Sequence, residues 1–382
     1  MCVAETQVEL AQAVQKGPCK DPALAVFENI SMAHPYNVDR DVHRRLKNLH
    51  GCQLEPFYIT VPVRCMETDG MTEMVLPSLA PYEVFAELWS FGAQFTISLL
   101  GEGPDIGDQI SAYWDALARS PENHHVNVDP EARRNRAWTV PLHVHTDGGE
   151  VFNGTEYSMW NWGSVLTHGI SSWDCKLLIC IVPEAVKTHE AVVEIAKFLG
   201  WNFKVLESGR HPHCDHHGVP LSGRRAALAG RPLAGGWRAS FAGFLSDMKE
   251  RAQLHRLRQN FQRTKLCEKC HAVRNSQTMN AYNFEDGADW MLQLISQQEY
   301  LGMAQGEARS PWAQVESWNI YRNRDDLLHM VYLGFGQDVA GQLIFDFAWQ
   351  YGGEDLDASL FQLSVECRGW LKERGLQSTG IR

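Results

Sequence analysis

The stretch Thr139–Trp162, TVPLHVHTDGGEVFNGTEYSMWNW, constrains this chain more than any other. Val140, Leu142 and Val144 alternate with His143 and His145, the two-residue period of a half-buried strand. The alternation runs into Asp147-Gly148-Gly149, and consecutive glycines let a backbone turn sharply. The spacing predicts a strand that delivers Asp147 to its own tip, with Glu150 just beyond. A carboxylate at the tip of a central strand is placed to hold a metal ion. The same Asp-Gly dipeptide also opens an ordinary β-turn, and the stretch alone leaves both readings open.

A chain of 382 residues is long enough for a large core and more than one subdomain. With 44% hydrophobic and 21% charged residues its composition is that of a globular protein, and thirteen tryptophans point to large aromatic cores or binding grooves. The longest apolar run, Leu177–Val182, is strand-sized, far short of a membrane span, so no membrane partner is expected. The opening MCVAETQVEL has neither the basic nor the apolar region of a secretory signal, which predicts an intracellular protein. Its ten cysteines then read as thiols or metal ligands rather than disulfides. A net charge of −11 argues against a protein that coats nucleic acid. The charge is uneven, however: Arg224–Arg274 holds twelve Lys/Arg against three acids, and the remainder is near −20. Such an island is either a phosphate-binding surface or a solvated helix face. Its candidate phosphate contacts are Arg224, Arg225, Arg231, Arg238, Lys249 and Arg256.

Pattern and punctuation divide the chain into four consecutive parts. Residues 1–54 are irregular with short helices, including Thr6–Gln15 and a charged helix over Asp39–Leu49. Residues 55–136 carry a strand at Phe57–Val63, helices at Ser78–Gly92 and Ile110–Ala118, and a polar linker from Ser120 to Arg136. Residues 137–275 alternate strand and helix: strands at Thr155–Trp162 and Cys175–Val182, a helix at Ala185–Leu199 capped at Gly200, and a short strand at Phe203–Leu206. An irregular insert rich in His, Cys and Arg spans 211–236, and a helical pattern over Leu245–Phe261 follows. Residues 276–382 read as largely helical, with helices at Asp286–Tyr300, Val339–Tyr351 and Leu356–Arg374.

Three acids stand out by position. Asp147 ends a strand, Asp247 follows the apolar run Ser240–Leu245, and Asp326 opens a helix-like stretch with His329 one turn on. Two hard divalent cations need several carboxylate oxygens around a space about 4 Å across. Acids from a central strand, a later element and a distant helix meet that need in an α/β fold. Separately, Cys267, Cys270 and His271 have the spacing of half a zinc site. A second C-x-x-C is absent, and the nearest further ligands are His211, His213, Cys214, His216 and His217. A structural Zn²⁺ clip with Cys214 competes with free thiols and surface histidines. A zinc hydrolase built on HPHCDHH lacks the HExxH helix geometry. Phosphate-loop, Rossmann and nucleophile-elbow signatures are missing, which removes the commonest nucleotide-hydrolase, dehydrogenase and serine-hydrolase readings.

Four blocks in order resemble the catalytic domain of DDE-type transposases of the CACTA/Plavaka-like group and transposon-derived proteins like them. They are HTDGGEVFNGTEYSMWNWGS ending at Ser164, LLICIVPEAVKTHEAVVEIAKFLG at 177–200, FLSDMKE with CEKCHA within 244–272, and RDDLLHMVYLG at 324–334. The likeness covers roughly residues 55–350. It implies an α/β fold with an RNase H-like core, a mixed sheet flanked by helices, here with a Cys/His-containing insert and a largely helical C-terminal part. It implies Mg²⁺ or Mn²⁺ held by Asp147, Asp247 and Asp326 or its neighbour Asp325, with His329 beside them, DNA as partner, phosphodiester cleavage and strand transfer, and a nuclear location. The chain departs from the group in its acidic balance and in having no visible N-terminal DNA-binding module. The alternative is a catalytically inactive, domesticated or truncated relative that acts as a zinc-stabilised nucleic-acid or protein-binding module.

Overall fold

The computed structural model describes residues 54–374, apart from 67, 69, 93–94, 102–105, 120–123, 153–154, 168–174, 257–263, 284, 304–309, 316, 326–335 and 353–354. The helices expected within the first 53 residues lie outside the described residues, as do Asp326 and His329. The fold is mixed α/β. A two-stranded antiparallel ribbon, β1 (Phe57–Arg64) and β2 (Met71–Ser78), precedes α1 (Pro81–Ser90) and α2 (Ile106–Ala118). A five-stranded mixed sheet follows, built from β3 (Thr139–Phe152), β4 (Thr155–Ser164), β5 (Leu177–Pro183), β6 (Arg238–Ser246) and β7 (Asn323–Asp325) in the order β5-β4-β3-β6-β7. β4 and β5 are antiparallel, and β6 and β7 are parallel. The helices α3 (His189–Ser208), α4 (Met248–Leu254), α5 (Gly336–Gly352) and α6 (Leu356–Glu373) complete the main elements. Among the described residues no helix is long and apolar enough to cross a membrane.

The alternation at the start of β3 is realised in full. Val140, Leu142, Val144 and Thr146 are buried, while His143, His145 and Asp147 are half-exposed on the other side. The strand does not turn at Asp147-Gly148-Gly149 but runs on to Phe152, because both glycines stay extended and Val151-Phe152 continues the β-forming sequence. α3 also differs in extent. It continues through Gly200 and the expected strand Phe203–Leu206 to Ser208, because Phe198, Leu199, Asn202, Phe203, Val205 and Leu206 all lie on its buried side. Thr188 starts it, its hydroxyl accepting from the Ala191 N–H at 3.1 Å, and Gly209 ends it in the left-handed conformation at φ 64°. The polar span Ser120–Arg136 contains two short helical turns, His125–Val128 and Pro130–Arg134, the first capped by buried His124, whose Nε2 lies 2.8 Å from the Phe241 carbonyl. The expected helix Asp286–Tyr300 is instead two short helices, Asp289–Leu292 and Gln297–Met303.

The chain divides into two compact units, and the division passes within β3 and within β6. The first comprises residues up to His143, Gly149–Ala242 and Gln314–Ser317. Its core is aromatic, with Trp114, Trp160, Trp162, Phe85, Phe198, Phe203 and Phe241 fully buried. Burying such a side chain contributes roughly 1.5–3 kcal/mol, so this cluster is the main source of the unit's stability. The second comprises Val144–Gly148, Gly243–Ala313 and the chain from Trp318 on. Here Phe244, His255, Trp312 and Trp318 pack ring on ring, with His255 stacked on Trp318 at 5.6 Å.

Candidate functional site

Asp147 and Asp247 lie in the same compact unit and at neighbouring strands. Asp147 is carried inside β3, on the side that also presents His143 and His145. Gly148 and Gly149 follow it with extended backbones, and a Cβ added at either would meet nothing within 4 Å. The fold does not require glycine there. Glycine inside a strand is otherwise found where a ligand or another backbone comes close, and here it clears the surface beside the carboxylate. Asp247 follows β6 directly. Its extended backbone (φ −64°, ψ 166°) makes it the N-cap of α4, and its Oδ1 accepts from the Glu250 N–H at 2.6 Å. That bond fixes the carboxylate at the helix N-terminus.

A third acid is close in register. In the parallel pairing of β6 with β7, Asp325 is the Cα partner of Ser246, the residue before Asp247. Asp147 thus lies in β3, Asp247 directly after β6 and Asp325 in β7, the strand beside β6. Two hydroxyls escaped the reading of the sequence. Thr146 and Ser246 are buried beside the two acids, and neither Oγ has a hydrogen-bond partner among the described residues. Thr146 lies on the buried side of β3, opposite the side that carries Asp147, so its hydroxyl does not face that carboxylate. Carboxylates are oxygen ligands of the kind a hard divalent cation takes. Among the described residues, however, no group of three or more His, Cys, Asp or Glu side chains is gathered as a metal site needs.

The thiol pair is a separate feature of the second unit. Cys267 Sγ accepts from the Lys269 N–H at 3.3 Å, and the loop closes through Leu266 N–H to the Ala272 carbonyl. The hydrogen bond between the two thiols draws Cys270 down from the usual thiol range and pushes Cys267 up. His271 is engaged elsewhere, its Nε2 3.1 Å from Glu299 Oε1. Cys214 belongs to the first unit, where its carbonyl accepts from the Trp201 indole at 3.1 Å. Its neighbour Asp215 closes a loop by accepting from the N–H groups of His217 and Val219. Burial holds His211 and His216 below the usual imidazole range, which suits packing as well as metal ligation.

Four arginines of the basic island are matched by acids. Arg225 grips Glu83 with two bonds of 2.7 and 3.0 Å and stacks over the Phe57 ring at 3.7 Å. Arg224 lies 3.8 Å from Glu87, Arg238 3.3 Å from Glu131, and Arg251 3.2 Å from Glu268. Arg224 and Arg225 line a cavity of about 560 Å³ with Trp89, His211 and Asp215, all within the first unit. Another cluster there has no sequence signature. Glu207 Oε1 accepts from Ser240 at 2.6 Å and from Ser317 at 2.7 Å, while His125 lies 3.4 Å from Glu207 and 3.1 Å from Ser317. Ser240 and Ser317 are buried, so the cluster ties α3, β6 and two loops together rather than facing solvent.

Compared with protein-family models, with curated proteins and with solved structures, the chain matches none.

Proposed function

We propose that this protein is a metal-dependent phosphodiester-cleaving and strand-transfer enzyme of the DDE transposase type, acting on DNA and built on an RNase H-like sheet. The observation that carries the reading is the placement of Asp147 in β3 and Asp247 at the end of β6, neighbouring strands of one mixed sheet. The five-stranded mixed sheet, in the order β5-β4-β3-β6-β7 with β3 central, supports that reading. The acids at Asp147 and Asp247, with Asp325 or Asp326 as the third, would hold Mg²⁺ or Mn²⁺. When bound, the ions supply activation of a water or a 3′ hydroxyl and stabilisation of the leaving oxygen. The chain's own part is orientation. The Glu250 N–H fixes one Asp247 oxygen, and Gly148 and Gly149 leave room for a sugar-phosphate backbone beside Asp147. A zinc clip through Cys267 and Cys270 belongs to the same proposal, as the element that shapes the loop after α4.

The second reading, a catalytically silent module that binds nucleic acid or protein, is favoured by one observation. Four arginines of the basic island, Arg224, Arg225, Arg238 and Arg251, sit against carboxylates of the same chain, which leaves less positive surface for phosphates. Nicking of supercoiled plasmid in Mg²⁺ or Mn²⁺ separates the two. The enzyme reading expects nicking by the wild type and loss to background in Asp147→Asn and Asp247→Asn. Nicking that survives both substitutions rejects it. No nicking by any form, with DNA binding retained, selects the silent module.

A further inference from the structure

Cys267 and Cys270 sit at the tip of a small antiparallel hairpin in the second unit. Lys265 pairs with Val273 across it, the Leu266 N–H donates to the Ala272 carbonyl at 3.3 Å, and the Arg274 N–H donates to the Thr264 carbonyl at 2.8 Å. Both residues between the sulfurs are tied to the body of the unit. Glu268 pairs with buried Arg251 of α4. The Lys269 ammonium donates to the Asn323 carbonyl of β7 at 2.7 Å, and the Lys269 carbonyl accepts from the Ile295 N–H at 2.9 Å and the Tyr321 hydroxyl at 3.2 Å. The two thiols are in hydrogen-bond contact with each other, Cys270 buried and Cys267 half-exposed. As a zinc site this is half a ligand set, because His271 is held by Glu299 and no group of three ligands is gathered among the described residues. As a dithiol it is complete.

We infer that Cys267 and Cys270 form a redox site, closing a reversible disulfide when a low-molecular-weight disulfide is the oxidant. The half-exposed Cys267 is the sulfur a small disulfide reaches first. Its thiolate attacks, the S–S bond of the oxidant breaks, and one small thiolate leaves. The Cys270 sulfur then attacks Cys267 and expels the second. The protein gives up two electrons and two protons, and the oxidant takes them up as two small thiols. Because the hairpin already holds the sulfurs together, ring closure costs little further ordering. Glu268 lies inside the ring so formed and holds α4 through Arg251, which puts the disulfide one ion pair away from the helix that Asp247 caps. Zinc and the disulfide are alternatives for the same sulfurs, so a bound ion has to leave as the disulfide forms. The inference does not depend on the phosphodiester reading and stands or falls apart from it.

The test is incubation of the folded full chain in mixtures of oxidised and reduced glutathione, with and without prior chelator treatment, followed by acid quench, alkylation, trypsin and mass spectrometry. Trypsin cleaves after Lys269, between the sulfurs, so the disulfide appears as the peptides 266–269 and 270–274 linked to each other. The expected result is that linked pair, with loss of alkylation at both cysteines, in a chain that migrates as a monomer on a non-reducing gel and is fully restored by dithiothreitol. Exposed Cys367 should carry only a glutathione adduct in the same mixtures. Linkage in the chelator-treated sample alone also supports the inference and identifies zinc as the competing occupant. Two alkylated cysteines in both samples where Cys367 is modified, glutathione adducts on Cys267 or Cys270 without linkage, or linkage only after unfolding in urea overturns it.

Discussion

The ion pair between Arg251 and Glu268 makes a demanding test of how the region after Asp247 is held. Arg251 sits on α4, the helix that Asp247 caps, and Glu268 lies between Cys267 and Cys270. Both side chains are buried, 3% and 7% exposed, with Nε and Oε1 3.2 Å apart. At an effective dielectric near 20 such a contact is worth about 5 kcal/mol of gross attraction, and it offsets a desolvation penalty of several kcal/mol per ion. The net value against an apolar replacement is therefore near zero, but loss of one partner strands a buried charge. Arg251→Met and Glu268→Leu should each cost about 3–5 kcal/mol, and the double variant should cost less than their sum by about 3 kcal/mol. Urea unfolding followed by tryptophan fluorescence reads this, because Trp312 and Trp318 are buried in the same unit. A coupling energy below about 0.5 kcal/mol would show that water screens the two charges and would refute the reasoning.

Three further predictions follow from named groups. Burial, reinforced by the Arg251 charge, holds His255 well below the usual imidazole range, so it stays neutral in the fold. The unfolded imidazole binds a proton below about 6.5, so this group lowers stability as pH falls through that value, by up to about 1.4 kcal/mol per pH unit. Urea midpoints at neutral and mildly acidic pH should show a steeper loss for the wild type than for His255→Gln; equal slopes contradict the assignment. Asp247→Asn keeps a cap on α4 and should leave stability within about 0.5 kcal/mol, whereas Asp247→Ala should cost about 1 kcal/mol; equal thermal midpoints for the two would remove the cap from the account. A Cβ at Gly163 would lie 2.5 Å from the Cys175 carbonyl, so Gly163→Ala should destabilise by about 1–3 kcal/mol, while Gly148→Ala, with nothing within 4 Å, should fold like the wild type.

Periodicity made much of the sheet legible from the sequence. The alternation over Val140–Thr146, the continuous apolar run of β5 and the aromatic strand β4 each carry a local signal, and so do the long helices α5 and α6. Asp147-Gly148-Gly149 looks like a breaker, but both glycines continue the strand, which runs to Phe152. The end of α3 was hidden for a related reason. Gly200 resembles a cap, but it is buried in the helix interior, and a Cβ there would already touch the Gln314 carbonyl at 3.4 Å. β2 was missed because Met71–Ser78 has mixed polarity and pairs only with β1. The position of Asp247 directly after a strand was readable from the apolar run before it, whereas Asp147 lies inside β3 rather than at its tip. The Asp325 register, the unpartnered hydroxyls of Thr146 and Ser246, and the Glu207 cluster depend on pairings between distant segments, which no local pattern carries.

The most direct test of the central claim is Mn²⁺ binding, followed by electron paramagnetic resonance, for the wild type, Asp147→Asn, Asp247→Asn and the double variant. If both carboxylates hold one site, each single substitution weakens binding by roughly tenfold or more, and the double variant is little worse than either. Binding that is unchanged in both single variants, or that falls by independent and additive steps, would contradict a metal site shared by Asp147 and Asp247.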